Sequence, residues 1–345
     1  MLKIALSLSL SSILSVASWA GAFVAGPLLS AAANTDRAKE DPLAVGYHNA
    51  PLAEVSIAYR VAGNGPLLVV VSPQWGIGAS YLEKGLSGFE REFKVVYVNT
   101  RGSGSSTRPQ DDLRMSTSAM IDDLEALRRY WNLTTLDVLG HSGGGAIVLG
   151  FAERYPDRVR KLVMVDAEVT DLYPSPAGDS MVRRWKHDPE HAVWTVHISD
   201  PVRDDQTFAQ NLRDTLGLYL YQPSRTAQKF ATTLPGGVSY WAAAHWEKSD
   251  RMMPMPQSQD LRMVKAQSLI IVGRHDFVCP VGMSKRAHEG IKGSKLVIFE
   301  KTGHVPWIEE PGKFFPLVKR FLISQPGLEN FRHRGFGEDN PKERL

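Results

Sequence analysis

The segment Gly-His-Ser-Gly-Gly at residues 140–144 constrains the fold of this chain more than any other feature. An apolar run, 136–139, precedes it, and a stretch with helical character, 146–155, follows it. A serine on a sharp turn between a strand and a helix exposes its hydroxyl, and glycine is needed on both sides because a Cβ would clash with adjacent backbone. The pattern therefore predicts a strand-turn-helix with Ser142 as a nucleophile.

A serine hydroxyl becomes nucleophilic when a histidine accepts its proton and a carboxylate orients that histidine. Asp276 and His304 each follow closely on a separate apolar run, so both are expected at the carboxyl ends of core strands. We therefore predict that Asp276 is the acid and His304 the base for Ser142. The alternative bases are His141 and His275.

The order serine, aspartate, histidine along the chain is typical of α/β-hydrolases. From about Ala53 to Leu322 the sequence resembles the proline-iminopeptidase-like branch of that superfamily. The segment 99–106 is similar to the Asp-x-Arg-Gly-x-Gly-x-Ser loop of the branch, with Asn99 in place of the aspartate, and the segment 78–82 is similar to the start of its first helix. The resemblance implies an α/β-hydrolase fold.

The resemblance also implies an oxyanion hole built from two backbone N–H groups. Gly143, the residue after the predicted nucleophile, supplies the first. The second comes from the segment 72–76, which stands where the branch usually has His-Gly-Gly-Pro-Gly. Gln74 is favoured for this role and Trp75 is the alternative, whereas Pro73 is excluded because proline has no N–H.

Apolar segments alternate with helical patterns, which predicts an α/β chain with a mostly parallel, twisted sheet and helices on both faces. The core is expected in residues 43–170 and 263–325. Between them, residues 171–262 are too long for an unstructured loop, and they predict a helical cap inserted after the sixth core strand. The seven apolar segments lie near Val55 to Val61, Leu67 to Val71, Val95 to Val98, Leu136 to Leu139, Leu162 to Val165, Leu269 to Val272 and Leu296 to Phe299.

The expected cap is rich in aromatic residues, which favours a largely apolar or aromatic substrate cavity. Its segment ending at Glu247 resembles the aromatic-then-glutamate segment with which iminopeptidases hold the amino group of a substrate. Trp241, Trp246 and Glu247 are therefore candidate substrate-binding residues. In the alternative interpretation the tryptophans pack the cap, and Glu247 is a solvated helix residue paired with Lys248 or Arg251.

Composition is that of one globular enzyme, because 43% of the 345 residues are hydrophobic and 22% are charged. The net charge is +3, and no basic cluster is interleaved with aromatic residues, so a nucleic-acid partner is not expected. The ten histidines are scattered and Cys279 is the single cysteine, which predicts neither a metal site nor an internal disulfide. No organic cofactor is expected, and the predicted partner is a small-molecule substrate.

Residues 1–35 predict a signal peptide or an uncleaved signal anchor, because an apolar run follows Lys3 and no charge returns until Asp36. Cleavage is expected after the Ala-x-Ala pattern at 20–22, or alternatively at 31–33. The protein would then be secreted or lumenal, with membrane association only if the segment stays uncleaved. The polar residues 326–345 are expected to form a tail.

Asn132 begins an Asn-Leu-Thr sequon at the end of a predicted helix from Thr117 to Trp131. A sugar on Asn132 would be exposed there, so we predict glycosylation at this asparagine.

Three functions fit these features. The first is hydrolysis of an ester, lactone or amide of a small, largely apolar substrate through an acyl-enzyme. The second is release of an N-terminal residue, which the iminopeptidase resemblance implies. The third is non-hydrolytic acid-base catalysis, such as an elimination or a cyclisation, because one fold can support several chemistries.

Overall fold

The computed structural model describes residues 41–234 and 237–324 and contains an eight-stranded sheet. The strand order is β1-β2-β4-β3-β5-β6-β7-β8, with antiparallel pairing of β1 with β2 and of β2 with β4, and parallel pairing elsewhere. This confirms the predicted α/β, mostly parallel fold. The strands are β1 Gly46–Pro51, β2 Ser56–Ala62, β3 Leu67–Val71, β4 Lys94–Val98, β5 Leu136–His141, β6 Val159–Val165, β7 Gln267–Gly273 and β8 Lys295–Phe299.

The central strands are apolar on both faces because helices cover both sides of the sheet. Strand β3 shows this clearly, since Val69 and Val71 join the hydrophobic cluster on one face while Leu68 and Val70 join the cluster on the other. Successive side chains of a strand point to opposite faces, so one short apolar run contributes to two cores.

Strand β1, Gly46–Pro51, was not among the predicted segments. Its residues alternate between partly buried and exposed, and Tyr47 is 80% exposed. It pairs with β2 as an antiparallel edge strand. An edge strand with one wet face carries no continuous apolar run, which is why the sequence pattern missed it.

The helices cover the sheet and form the segment between β6 and β7. Helix α2 is capped by Ser116, whose hydroxyl accepts a hydrogen bond from the Ala119 N–H at 3.2 Å, and it ends one residue before the predicted Trp131. The helices are α1 Ser80–Gly85, α2 Thr117–Tyr130, α3 Gly143–Arg154, α4 Pro176–Trp185, α5 Asp205–Asp214, α6 Pro223–Ala231, α7 Tyr240–Met252, α8 Gln257–Asp260, α9 Val281–Gly290, α10 Pro306–Glu309 and α11 Pro311–Ile323.

Helix α3 starts directly after Ser142, and nearly all of its residues are buried. Ile147 and Val148 pack into the cluster that contains Val69 of β3. A helix that is apolar all round is stable only in the interior. Helix α3 therefore anchors the serine turn to the rigid centre of the molecule.

The segment between β6 and β7 contains helices α4 to α8 and forms the cap. The cap has small apolar clusters of its own, one around Trp185 and Leu218 and another around Phe208 and Ala243. These clusters give the segment internal packing in addition to its contacts with the sheet.

The predicted signal segment 1–35 and polar tail 326–345 lie outside the described residues. Within the part that is described, no helix is both long enough and apolar enough to cross a bilayer.

Candidate active site

Ser142 occupies the turn between β5 and α3 with φ 55° and ψ −130°, a conformation that L-residues rarely adopt. Close packing explains the need for small neighbours, because a Cβ on Gly144 would lie 2.3 Å from the carbonyl oxygen of Val71. The side chain of Ser142 is half-buried and lines a cavity. A non-glycine residue in such a strained conformation is characteristic of a functional turn.

Asp276 and His304 form a hydrogen-bonded pair in which His304 Nδ1 lies 2.8 Å from Asp276 Oδ2. Both side chains are buried. The other carboxylate oxygen of Asp276 accepts hydrogen bonds from the N–H groups of Val278 at 2.8 Å and Cys279 at 3.0 Å. Because the carboxylate engages Nδ1–H, the lone pair of His304 is left on Nε2, as a general base requires.

A cavity of about 110 Å³ is lined by both Ser142 and His304. Its described lining is mostly aliphatic and aromatic, it contains no lysine or arginine, and its single carboxylate belongs to Asp179. The apolar side chains come from the sheet loops and from the cap. They are Pro73, Trp75, Ile77, Tyr81, Tyr173, Pro174, Ile198, Phe208, Leu212, Leu218, Tyr219, Phe230, Leu234, Phe277, Val278 and Val305.

Gln74 and Trp75, predicted to border the oxyanion hole, lie next to the serine turn. The Gln74 side chain is fully buried, and a Cβ on Gly143 would lie only 2.0 Å from its Oε1. Trp75 lines the cavity, where its ring centroid is 5.8 Å from that of Tyr173 and 5.4 Å from that of Trp246. The structure thus brings Gln74 and Gly143 into contact and makes Trp75 part of the cavity wall.

The three predicted cap residues Trp241, Trp246 and Glu247 are not among the residues that line this cavity. The carboxylate of Glu247 lies 3.3 Å from the guanidinium of Arg251, one turn further along α7. Trp246 Nε1 donates to Asp250 Oδ2 at 2.8 Å. Glu247 therefore pairs with a neighbour on its own helix, as the alternative interpretation of the sequence expected.

The third residue, Trp241, packs against the His245 ring at a centroid distance of 4.4 Å. Its other neighbour is Arg108, whose guanidinium carbon lies 4.4 Å from the indole centroid. The contact with Arg108 joins α7 to the loop after β4.

His141, an alternative base, is buried with both ring nitrogens engaged. Its Nε2 lies 2.8 Å from the carbonyl oxygen of His304, so Nε2 carries the proton, and Nδ1 accepts from the Tyr81 hydroxyl at 2.7 Å. Burial, together with the neighbouring His304, lowers the pKa of His141 well below its usual range. His141 is therefore a neutral group in the cavity wall, with its ring centroid 4.5 Å from that of His304. The other alternative, His275, packs against Tyr221 and does not line the cavity.

His141→Ala is expected to lower the free energy of unfolding by about 3–5 kcal/mol, because it empties a buried volume and leaves the Tyr81 hydroxyl unpaired. Urea unfolding measures this loss. The control is His197→Ala, since the His197 ring is half-exposed and pairs with Asp200 on the surface, and it should cost less than about 1 kcal/mol. Equal losses in the two variants would contradict the role assigned to His141.

Asp166 was missed in the sequence, although it follows an apolar strand as Asp276 does. It is fully buried directly after β6, has φ 44°, and accepts a hydrogen bond from the Gly273 N–H at 2.7 Å. Burial and the nearby carboxylate of Asp276 raise the pKa of Asp166 well above its usual range. Asp166 and Asp276 are far apart in the sequence, and only the folded sheet brings these two strand ends together.

One group in the described part of the chain has the spacing of a set of metal ligands. Its potential ligand atoms lie within 4.8 Å of one another and belong to Asp276, Cys279 and His304. Burial, followed by the charge of Asp276, raises the pKa of the Cys279 thiol well above its usual range. Nδ1 of His304 is hydrogen-bonded to Asp276 in this arrangement, so this ring nitrogen is already engaged.

Asn132 is exposed at the end of α2 with φ 54°. The side chain is accessible, and its glycosylation stays a prediction.

Comparison with known proteins identifies relatives over most of the chain. A family model described as alpha/beta hydrolase fold matches residues 69–311. A 2-hydroxy-6-oxo-2,4-heptadienoate hydrolase of Pseudomonas putida is 28% identical over 243 residues, which cover 68% of this chain and 80% of that protein. A 2-hydroxymuconate semialdehyde hydrolase, also of Pseudomonas putida, is 26% identical and covers 79% and 89%.

Solved structures agree with this comparison at the level of the fold. An α/β fold family hydrolase from Bacillus anthracis superposes with a TM-score of 0.63 at 21% identity, covering 80% of this chain and 99% of that one. An enol-lactonase from Burkholderia xenovorans superposes with a TM-score of 0.60 at 18% identity, covering 80% and 100%.

Proposed function

Because the chain belongs to the α/β-hydrolase family, we propose that it is a serine hydrolase that cleaves an ester, lactone or amide of a neutral, largely apolar molecule. The observation that carries the proposal is the 2.8 Å hydrogen bond between His304 and Asp276 at a cavity that Ser142 also lines. The names of the relatives support hydrolysis in general.

In the proposed mechanism, Ser142 Oγ attacks the carbonyl carbon of the substrate while Nε2 of His304 takes the hydroxyl proton. Asp276 stays ionised and stabilises the imidazolium that forms. The backbone N–H groups of Gly143 and Gln74 bind the oxyanion of the tetrahedral intermediate. The carbonyl bond to the leaving group then breaks as His304 delivers the proton to it. Water repeats the sequence on the acyl-enzyme and releases the acid.

The cavity supports a neutral substrate. The names of the two relatives describe their substrates as a heptadienoate, which is a carboxylate, and a semialdehyde. A carboxylate that is buried in a cavity needs a cationic partner or several hydrogen-bond donors. No lysine or arginine is present in the described lining. The lining contains the hydroxyl groups of Ser175, Thr215 and three tyrosines, but most of it is aromatic and aliphatic, which suits the apolar part of an ester.

Release of an N-terminal residue has less support, because Glu247 pairs with Arg251 away from the described cavity lining. A free ammonium group in the cavity would instead meet Asp179, which supplies the one carboxylate of the described lining.

A matched pair of esters tests the proposal. 4-Nitrophenyl pentanoate and the 4-nitrophenyl monoester of glutaric acid have acyl chains of equal length, and only the second ends in a carboxylate. We expect kcat/KM to be at least about tenfold higher for the neutral ester, since the anion is desolvated without a cation. Preference for the anionic ester would contradict the proposed substrate class. Leucine 4-nitroanilide belongs in the same assay, and its rapid cleavage would favour the aminopeptidase alternative.

A further inference from the structure

Glu168 connects the serine turn to the loop between β3 and α1. It lies three residues after β6, and 2% of its surface is exposed. Its backbone N–H donates to the carbonyl oxygen of Ser142 at 3.0 Å. Both oxygens of its carboxyl group lie 3.4 Å from Nε2 of Gln74. Glu168 therefore contacts both elements that are expected to supply the oxyanion amides.

The Gln74 carboxamide lies across Gly143. A Cβ on Gly143 would be 2.0 Å from Oε1, 2.5 Å from Cδ and 2.7 Å from Nε2 of Gln74, so only glycine fits beneath the amide. Oε1 is buried and has no hydrogen-bond partner in the described part of the protein. The contact with Glu168 is thus the polar interaction that orients this carboxamide.

The surroundings of Glu168 keep its carboxyl group neutral. The titratable groups that face it are Asp250 of α7, Tyr173 and Cys279, and no ion pair to Glu168 occurs among the described residues. Burial, with a smaller contribution from Asp250, raises the pKa of Glu168 to about 8, and this outweighs the hydrogen bonds from Trp75 and Gln74, which lower it. At neutral pH the carboxyl can therefore form hydrogen bonds without placing a negative charge beside the developing oxyanion.

We propose that Glu168 is a positioning residue of the oxyanion hole, which holds the Gln74 carboxamide across Gly143 and thereby keeps the loop 72–76 against the serine turn. The inference rests on the proposed serine chemistry. Ionisation of Glu168 at alkaline pH would oppose the reaction, because a carboxylate near the oxyanion destabilises the transition state. The neutral form, present below the pKa, is the active one.

The test is the pH dependence of kcat and KM between pH 6 and 10 on 4-nitrophenyl pentanoate. In the unmodified enzyme kcat is expected to fall above a pH of about 8. Glu168→Gln keeps a neutral hydrogen-bonding group, so kcat at pH 7 should stay within about threefold and the alkaline fall should disappear. Glu168→Ala should lower kcat at pH 7 by about 10- to 100-fold with KM changed less than about threefold.

Glu153→Gln is the matched control. Glu153 is also buried, and burial likewise raises its pKa to about 8, but it lies at the far end of α3. Ten residues of helix separate it from Gly143 by about 15 Å. This variant should keep the pH profile of the unmodified enzyme.

Two outcomes would overturn the role of Glu168: an unchanged kcat and pH profile in Glu168→Ala, or an alkaline fall that persists in Glu168→Gln. The second outcome decides the question if Glu168→Ala fails to fold. A different observation would show that the proposed serine chemistry itself is wrong: the unmodified enzyme would not be labelled at Ser142 by a fluorophosphonate. Labelling with an unaltered Glu168→Ala profile would refute the positioning role alone.

Discussion

Ser142→Ala is expected to lower kcat for ester hydrolysis by about 10⁴- to 10⁶-fold and to abolish fluorophosphonate labelling, because the variant lacks the oxygen that is proposed to form the acyl-enzyme. His304 would still lie in the cavity, but its Nε2 would have no hydroxyl to deprotonate. Residual hydrolysis would come from water activated in the oxyanion hole. Steady-state assay and mass spectrometry of the labelled protein measure both effects. Turnover at more than about a hundredth of the original rate would contradict the assignment of Ser142.

The same position provides a test of backbone strain. Ser142 has φ 55°, which glycine adopts without a steric penalty and alanine does not. The free energy of unfolding of Ser142→Gly, measured with urea, should therefore be about 1 kcal/mol higher than that of Ser142→Ala, although both variants are inactive. Ser87→Ala, at an exposed serine that contacts only a surface carbonyl, should keep full activity.

Asp276→Asn is expected to lower kcat by about 10³- to 10⁴-fold with little effect on KM. An amide in place of the carboxylate cannot stabilise the imidazolium of His304, and its N–H₂ group favours the wrong histidine tautomer. The backbone N–H groups of Val278 and Cys279 can still donate to the asparagine oxygen, so the fold is retained. Measurement of kcat and KM on the neutral ester, with circular dichroism of the variant, checks both statements.

Asp166→Asn is the isosteric control for this substitution. Burial and the charge of Asp276 raise the pKa of Asp166, so its carboxyl group is expected to be neutral at pH 7. Asparagine keeps the oxygen that accepts from the Gly273 N–H, and kcat should change less than about threefold. If Asp166→Asn were the severe variant and Asp276→Asn the mild one, Asp166 would be the working acid.

The sequence predicted the sheet well, since seven of the eight strands are apolar runs that can be recognised one at a time. Strand β1 was missed because an edge strand with one wet face has no continuous apolar run. Ser142, Asp276 and His304 were recognised as motifs because each follows a strand, and a parallel sheet brings such ends to one edge. The 2.8 Å hydrogen bond between Asp276 and His304 joins residues from two of these strand ends.

The residues that line the cavity were harder to predict. Glu247 occupies a segment that resembles an amino-group anchor, but its carboxylate pairs with Arg251 on the same helix. Phe277 and Val278 line the cavity and belong to the loop after β7, not to the cap. Helix packing decides which side of a cap segment faces the substrate, and that packing depends on contacts between residues far apart in the chain.

The sequence by itself determined the local elements of this protein: the apolar strands, the glycine-flanked serine turn and the order of the candidate catalytic residues. These follow from backbone geometry and from side-chain periodicity within short segments. Only the tertiary structure decided which charged groups became buried together, as with Asp166 beside Asp276 and Glu168 beside Gln74. Burial and the distance between charges depend on the whole fold, so no short segment of the chain contains that information.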